Sequence, residues 1–315
     1  MPEADIKPVE SLPRLEELRG AAPSAEELQV RERGRLFALF SSSLFSSCAH
    51  HPPPSSLLLF FSSSLLLFFS SSLLLLHHHH HHRNKNKKNN NQSLLSKTAV
   101  LKLNGGLGTS MGLEKAKSLL PVKDGKTFLD LIALQVKRTR EETGASGLRF
   151  ILMNSFSTSG DTRAFLAKEH AELLSQPDSE LLQNKSPKLD ASTLEPVSWE
   201  ADPDLEWCPP GHGDIYPSLL GSGMLSRLIE GGVEYLFVSN SDNLGATLDV
   251  DLLAHFAKSK SPFLMEVAER TAADKKGGHL AIRSSDGRLT LRESAQCLDE
   301  DKAAFEDITK CVFFF

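Results

Sequence analysis

From Ser96 onward the chain alternates short apolar runs with amphipathic stretches. Thr98–Asn104 (TAVLKLN), Leu148–Asn154 (LRFILMN) and Val233–Asn240 (VEYLFVSN) each predict a buried strand. Phe128–Thr143 carries Leu129, Ile132, Ala133 and Val136 at helical spacing. Asp161–Leu174 predicts a second helix with Asp161 as its N-cap, and Tyr216–Glu230 and Asp249–Lys258 predict two more. Phe263–Glu269 predicts a further strand, and His279–Arg283 and Arg288–Glu293, joined through Ser-Asp-Gly, predict a hairpin. Strands alternating with helices predict an α/β fold, a mixed and mainly parallel sheet with helices on both faces. In such sheets ligands sit beyond the carboxyl ends of the strands. The residues that follow each strand are therefore the candidates for chemistry.

The pattern breaks between Ser41 and His82, where there is no Lys, Arg, Asp or Glu. Ser55–Ser62 reads SSLLLFFS, Ser63–Ser70 repeats it and Ser71–Leu76 begins a third copy; six histidines (His77–His82) and a polar RNKNKKNNN run follow. Three readings compete. Leu57–Leu76 is long enough for a membrane span, but six of its twenty residues are serines, a poor apolar density for a lipid-facing helix. The histidine run could take up a transition metal such as nickel or zinc, with no supporting shell legible to fix a geometry. Ser, Leu, Phe and Pro can all be written with pyrimidine-only codons, so the stretch also reads as a translated non-coding segment, the reading that composition favours. The expected organisation is an N-terminal segment over 1–40, a low-complexity insertion over 41–93 and one domain over 94–315.

Composition narrows the function classes. The 315 residues are 40% hydrophobic and 24% charged, ordinary for a globular protein with a real core. A net charge of -5 argues against broad binding of nucleic-acid backbones, which requires a basic face. Cys48, Cys208, Cys297 and Cys311 form no CxxC pair and read as free thiols of a reducing compartment. The first thirty residues are too acidic, and lack the apolar run, for a secretory signal, so a cytoplasmic location is expected.

The loop after the first strand, Asn104-Gly105-Gly106-Leu107-Gly108-Thr109-Ser110-Met111-Gly112, has four glycines in eight residues and leads to Lys115, Lys117 and Ser118. Such a loop lets backbone N–H groups converge on phosphate oxygens. It is neither the G-x-G-x-x-G dinucleotide fingerprint, because Met111 stands where the last glycine belongs, nor a P-loop, because Ala116 precedes Lys117.

The KLNGGLGTSMG…K-S-L-P pattern resembles the nucleotide-binding loop of the UTP–glucose-1-phosphate uridylyltransferase (UDP-glucose pyrophosphorylase) family. Further segments agree in order: LMNSFSTSGDT at Leu152–Thr162, LLQNKSPKL at Leu181–Leu189, WCPPGHGDIYPSL at Trp207–Leu219, VSNSDNLGA at Val238–Ala246 and MEVAERTAADKKGGHLA at Met265–Ala281. Pro2–Leu18 also resembles the segment that precedes the loop in this family. The resemblance implies a Rossmann-like, GT-A-like nucleotidyltransferase fold. It also implies roles at matching positions: Leu103, Gly105, Gly106 and Met153 line the nucleotide site, and Gln183 reads uracil. Gly211 borders the base, His212 meets the sugar phosphate, Asn240 lies near the sugar, Lys117 contacts phosphate and Asp242 holds Mg²⁺.

The implied reaction joins UTP and glucose 1-phosphate into UDP-glucose and pyrophosphate by in-line attack of the sugar phosphate on the α-phosphorus. The nucleophile is already an anion, so catalysis would be positioning and charge neutralisation. Relaxed UDP-sugar or UDP-N-acetylhexosamine pyrophosphorylases share the loop logic, and a nucleotide-binding fragment without turnover is a further reading. The family pattern continues past Phe315 through an FNTNN-type strand, a second phosphate-binding lysine and a β-helical domain. Lacking these, the chain as written is expected to fold poorly and to be inactive or nearly so.

Overall fold

A computed structural model describes residues 6–8, 29–32, 35–40, 58–62, 85–107, 115–269, 278–287, 289–293, 297–307 and 313–314. Arg83–Leu248 form one compact unit, and Met1–His82 with Asp249–Phe315 form another.

The Arg83–Leu248 unit opens with helix α1 (Lys85–Ser96), which begins inside the polar run after the histidines. Its last turn is fixed by Leu95, fully buried, and by the Thr98 hydroxyl, which donates to Leu94 O at 2.8 Å. Strand β1 (Thr98–Asn104) is buried at every position, as expected for a central parallel strand covered on both faces. Helix α2 (Phe128–Thr143) has the predicted bounds and buries the predicted Leu129, Ile132, Ala133 and Val136. Removing a residue such as Leu129 or Ile132 from water contributes roughly 1.5–3 kcal/mol. A reciprocal Thr127/Asp130 capping box starts this helix, and Gly144 at φ 71° stops it.

Strand β2 (Arg149–Asn154), helix α3 (Ser159–Glu169), strand β3 (Glu180–Leu182), helices α4 (Ile215–Gly221) and α5 (Met224–Glu230) and strand β4 (Tyr235–Asn240) complete the unit. The strands lie in the order β4-β1-β2-β3, all parallel. Their carboxyl ends are in step: Asn240 pairs with Leu103, Asn104 with Asn154, and Asn154 with Leu182.

Two predicted helices are broken. Asp161–Leu174 is α3 followed by a separate turn of helix at Ala171–Leu174, interrupted at His170. His170 is buried there, its Nε2 at 2.9 Å from Asp130 Oδ1 and its Nδ1 at 2.8 Å from Lys137 Nζ. An ammonium can only donate, so Nδ1 accepts and Nε2–H donates to Asp130. Asp161 lies in the first turn of α3 rather than at its cap. Tyr216–Glu230 divides into α4 and α5 because Gly223, at φ 72°, cannot continue the first helix.

In the other unit, helix α6 (Val250–Ser259) is capped by Asp249, whose carboxylate accepts from the backbone N–H groups of Asp251 and Leu252. Strand β5 (Phe263–Glu269) follows, and strands β6 (Gly278–Arg283) and β7 (Leu289–Glu293) form the predicted hairpin. Strand Leu58–Ser62 runs parallel to β5, and Arg35–Phe40 pairs with β5 antiparallel. Helix α7 (Asp299–Glu306) is held by buried Arg292, which donates to Asp301 at 3.0 Å and stacks over Phe305.

The rest of the Leu57–Leu76 stretch, the histidine run and residues 108–114 and 270–277 lie outside the described residues. Among the described residues no helix is long and apolar enough to cross a membrane.

Candidate functional site

The carboxyl ends of the four parallel strands gather most of the expected site residues. At the end of β1, Leu103 is buried, and its carbonyl accepts from Ser241 N at 3.0 Å, joining the loop after β4 to this strand. Gly105 follows, and its carbonyl accepts the Ser155 hydroxyl at 2.8 Å. Gly106 O accepts from Lys117 N at 3.2 Å, so the glycine loop returns to its starting point before the chain goes on.

Gly105 lies directly against Gln183. A Cβ added at Gly105 would sit 1.8 Å from Gln183 Nε2, so only glycine admits the amide there. Gln183 is 6% exposed, its backbone N–H donates to Asn154 O at 2.9 Å, and its Oε1 is buried with no hydrogen-bond partner. A buried amide oxygen without a donor is costly unless a ligand supplies one. Met153 is 1% exposed, so its side chain belongs to the core beneath this surface.

Beneath the glycine loop the strand ends are knitted by polar side chains. Asn104 Nδ2 donates to Asn154 Oδ1 at 2.7 Å and to Thr162 Oγ1 at 3.1 Å. Asn154 Nδ2 donates to Glu180 Oε1 at 2.7 Å. Ser159 and Arg163 of α3 complete the shell of Glu180 at 2.6 and 2.9 Å. Such fully satisfied networks rigidify the surface they support.

On the β4 side the charged residues converge. Lys117 Nζ is 2.6 Å from Asp242 Oδ2, with side-chain exposures of 38% and 19%. Burial pushes the His212 pKa below its ordinary value, outweighing the nearby Asp242 carboxylate, which favours the protonated imidazole. Gly211, at φ 104° and ψ -175°, sets up the turn that presents His212; this is a conformation essentially reserved to glycine.

The loop after Asn240 is held from two sides. Gln135 Nε2 of α2 donates to Leu244 O at 3.0 Å, and Lys102 Nζ of β1 donates to Ala246 O at 2.9 Å. Lys102 is 2% exposed and faces the Phe237 ring, and burial pushes its pKa down to about 7.

The fit of a metal can be judged from the donors. Among the described residues no group of three or more His, Cys, Asp or Glu could hold one. Asp242 alone suits a hard cation such as Mg²⁺ in company with phosphate oxygens and water, and does not suit a protein-only metal cage.

Two buried polar residues of this region escaped the sequence reading. Asp214, two residues past His212, accepts from Asn184 N at 2.7 Å, from Asn184 Nδ2 at 2.9 Å and from Ser218 Oγ at 2.7 Å. The Gly-His-Gly-Asp run ahead of a helix suggests a cap, yet this carboxylate makes no cap bond to α4. Lys102 stands in a strand run where nothing local distinguishes it from an exposed lysine.

A family model described as UTP--glucose-1-phosphate uridylyltransferase matches residues 73–315. The chain belongs to that family. The enzyme of that name from Astragalus penduliflorus is 43% identical over 224 residues, 71% of this chain and 46% of the relative. The Saccharomyces cerevisiae enzyme is 44% identical over 223 residues, 70% of this chain and 44% of the relative. Among solved structures, UDP-glucose pyrophosphorylase from Leishmania major, in complex with UDP-glucose, aligns at a TM-score of 0.62 and 50% identity, covering 70% of this chain and 49% of that one. The Trypanosoma brucei UDP-glucose phosphorylase aligns at a TM-score of 0.63 and 49% identity, covering 70% and 47%. The chain thus spans about half the length of the relatives it matches.

Proposed function

We propose that this chain binds UTP across the carboxyl ends of β3, β2, β1 and β4, and that the site is built for uridylyl transfer to glucose 1-phosphate. The observation that carries the reading is the buried Gln183 amide pressed against Gly105, its Oε1 without a protein donor. An amide offers acceptor and donor side by side, which matches the imide edge of uracil. Lys117, Asp242 and His212 then lie on the side where the phosphates and the sugar phosphate belong. Lys117 neutralises phosphate charge, and Asp242 supplies the carboxylate for Mg²⁺, which when bound would offset further phosphate charge. No protein base is needed for an attacking phosphate oxygen, so the contribution of these residues is positioning and electrostatics. We place this chemistry in the cytoplasm, the reducing compartment that its scattered cysteines suit.

The test is a titration of the purified chain with UTP, followed by pyrophosphate release on adding glucose 1-phosphate and Mg²⁺. Saturable UTP binding that Gln183→Ala weakens about tenfold is expected. Absence of UTP binding by a chain that melts cooperatively would overturn the reading.

A further inference from the structure

Gln183 and His212 reach the same surface from opposite ends of a long excursion, and one side chain closes it. Asp214 is 8% exposed and accepts its hydrogen bonds on both carboxylate oxygens: Oδ2 takes Asn184 N–H at 2.7 Å and the Ser218 hydroxyl at 2.7 Å, and Oδ1 takes Asn184 Nδ2 at 2.9 Å. The bonds to Asn184 cross 30 positions of sequence. Asn184 directly follows Gln183. The backbone N–H of Asp214 in turn donates to Gly211 O at 3.2 Å, closing the turn that presents His212. Among the described residues no Lys, Arg or His forms an ion pair with Asp214.

A buried carboxylate held only by neutral donors is an expensive arrangement, and an apolar contact would serve a merely structural joint at less cost. Burial pushes the Asp214 carboxyl up, but the Asn184 and Ser218 bonds outweigh it and hold the group ionised. Asparagine is a poorer fit. One of its two terminal positions would carry N–H where a neighbouring donor already points. The arrangement as it stands uses both oxygens as acceptors, which a carboxylate provides and an asparagine matches only if the Asn184 amide also turns over and gives up its bond to Ser218.

We propose that Asp214 is a positioning residue for base selection: it fixes the Gln183–Asn184 strand end to the Gly211–His212 turn, so that the Gln183 amide meets uracil in one orientation. A glutamine amide can present its donor and acceptor in either order by a half-turn of its last bond, so it separates uracil from cytosine only where its neighbours favour one order; the close approach of Nε2 to Gly105 is such a neighbour, and it lasts only while the chain at Gln183 is held in place. The proposal rests on the reading of Gln183 as the base-contacting residue.

The experiment measures dissociation constants of UTP and CTP for the full 315-residue chain. It compares the wild-type chain with Gln183→Ala, Asp214→Asn and Ser218→Ala, with a thermal melt of each. The expected result is that Asp214→Asn lowers the UTP-over-CTP preference about tenfold and Ser218→Ala about threefold, chiefly by weakening UTP. A merely structural role would lower the melting temperature and weaken both nucleotides equally, and that outcome overturns the proposal. Should Asp214→Asn not fold, Ser218→Ala decides: an unchanged preference together with unchanged amide exchange at Asn184 overturns the positioning role. Gln183→Ala without effect on the preference sinks the base reading itself. An effect of Gln183→Ala, with none from Asp214→Asn, sinks the positioning role alone.

Discussion

The Lys117 ammonium and the Asp242 carboxylate, 125 positions apart in sequence, meet at 2.6 Å. The two groups proposed to receive phosphate and metal are thus engaged with each other. Both are partly exposed, so the pair contributes little to stability, about 0–1 kcal/mol. Its effect is on binding, because UTP without metal must compete with Asp242 for Lys117 and also meets the negative charge of Asp242.

Asp242→Ala is therefore expected to bind metal-free UTP several-fold, up to about tenfold, more tightly than the wild-type chain. With Mg²⁺ present the order should reverse, because the variant has lost the metal carboxylate. Titrations with and without EDTA check both halves, and equal metal-free affinities would remove the competition argument.

Lys117→Ala should leave the melting temperature within a degree or two and weaken binding of UTP with Mg²⁺ about tenfold, the scale of one lost charge-assisted contact. Calorimetric titration of the full chain measures it. An affinity near that of the unmodified chain would exclude Lys117 from the phosphate site.

Gly105→Ala tests the closest approach in the site. The new methyl would overlap Gln183 Nε2, which must swing away. Because the obstacle is the end of a side chain rather than backbone, stability should fall by about 1 kcal/mol or less while UTP affinity falls at least tenfold. Equal losses in stability and binding free energy would instead indicate a collapsed loop.

Lys102 makes a prediction about pH. Its folded pKa is held down to about 7 against an ordinary 10.5, so between those values the unfolded chain binds a proton that the folded chain does not. Stability on this account rises with pH from about 7 to about 10.5, by at most ~1.4 kcal/mol per pH unit, and is flat below 7. Lys102→Met should remove that slope in urea unfolding followed from pH 6 to 9.5. Parallel profiles for the two proteins would refute it.

The fold was legible wherever burial and periodicity coincide. β1 is buried at every position, and α2 has one apolar face, a cap and a stopping glycine, so both have their predicted bounds. The α3 and α4–α5 regions depart from the expected single helices because periodicity carries across an interruption that only tertiary contacts reveal. His170 stops a helix by bonding Asp130 and Lys137, and Gly223 stops one by turning left-handed. The candidate site divides the same way. Gln183, His212 and Asp242 stand in motifs whose resemblance names their roles. The Lys117–Asp242 pair, the Asp214 bonds and the Lys102 strut join residues that the order of the chain keeps apart.

The common register of the four strand ends also makes the sheet a ruler. Gln183 follows β3 and Asp242 follows β4, so their backbones leave the sheet three inter-strand spacings apart, roughly 14 Å at about 4.8 Å each, and the Gln183 side chain shortens that interval by reaching back to Gly105 beyond β1. A free base can touch one end of that interval only. A ligand that engages both must carry its charge at a set distance from its ring, so the sheet sorts molecules by length before any side chain sorts them by chemistry.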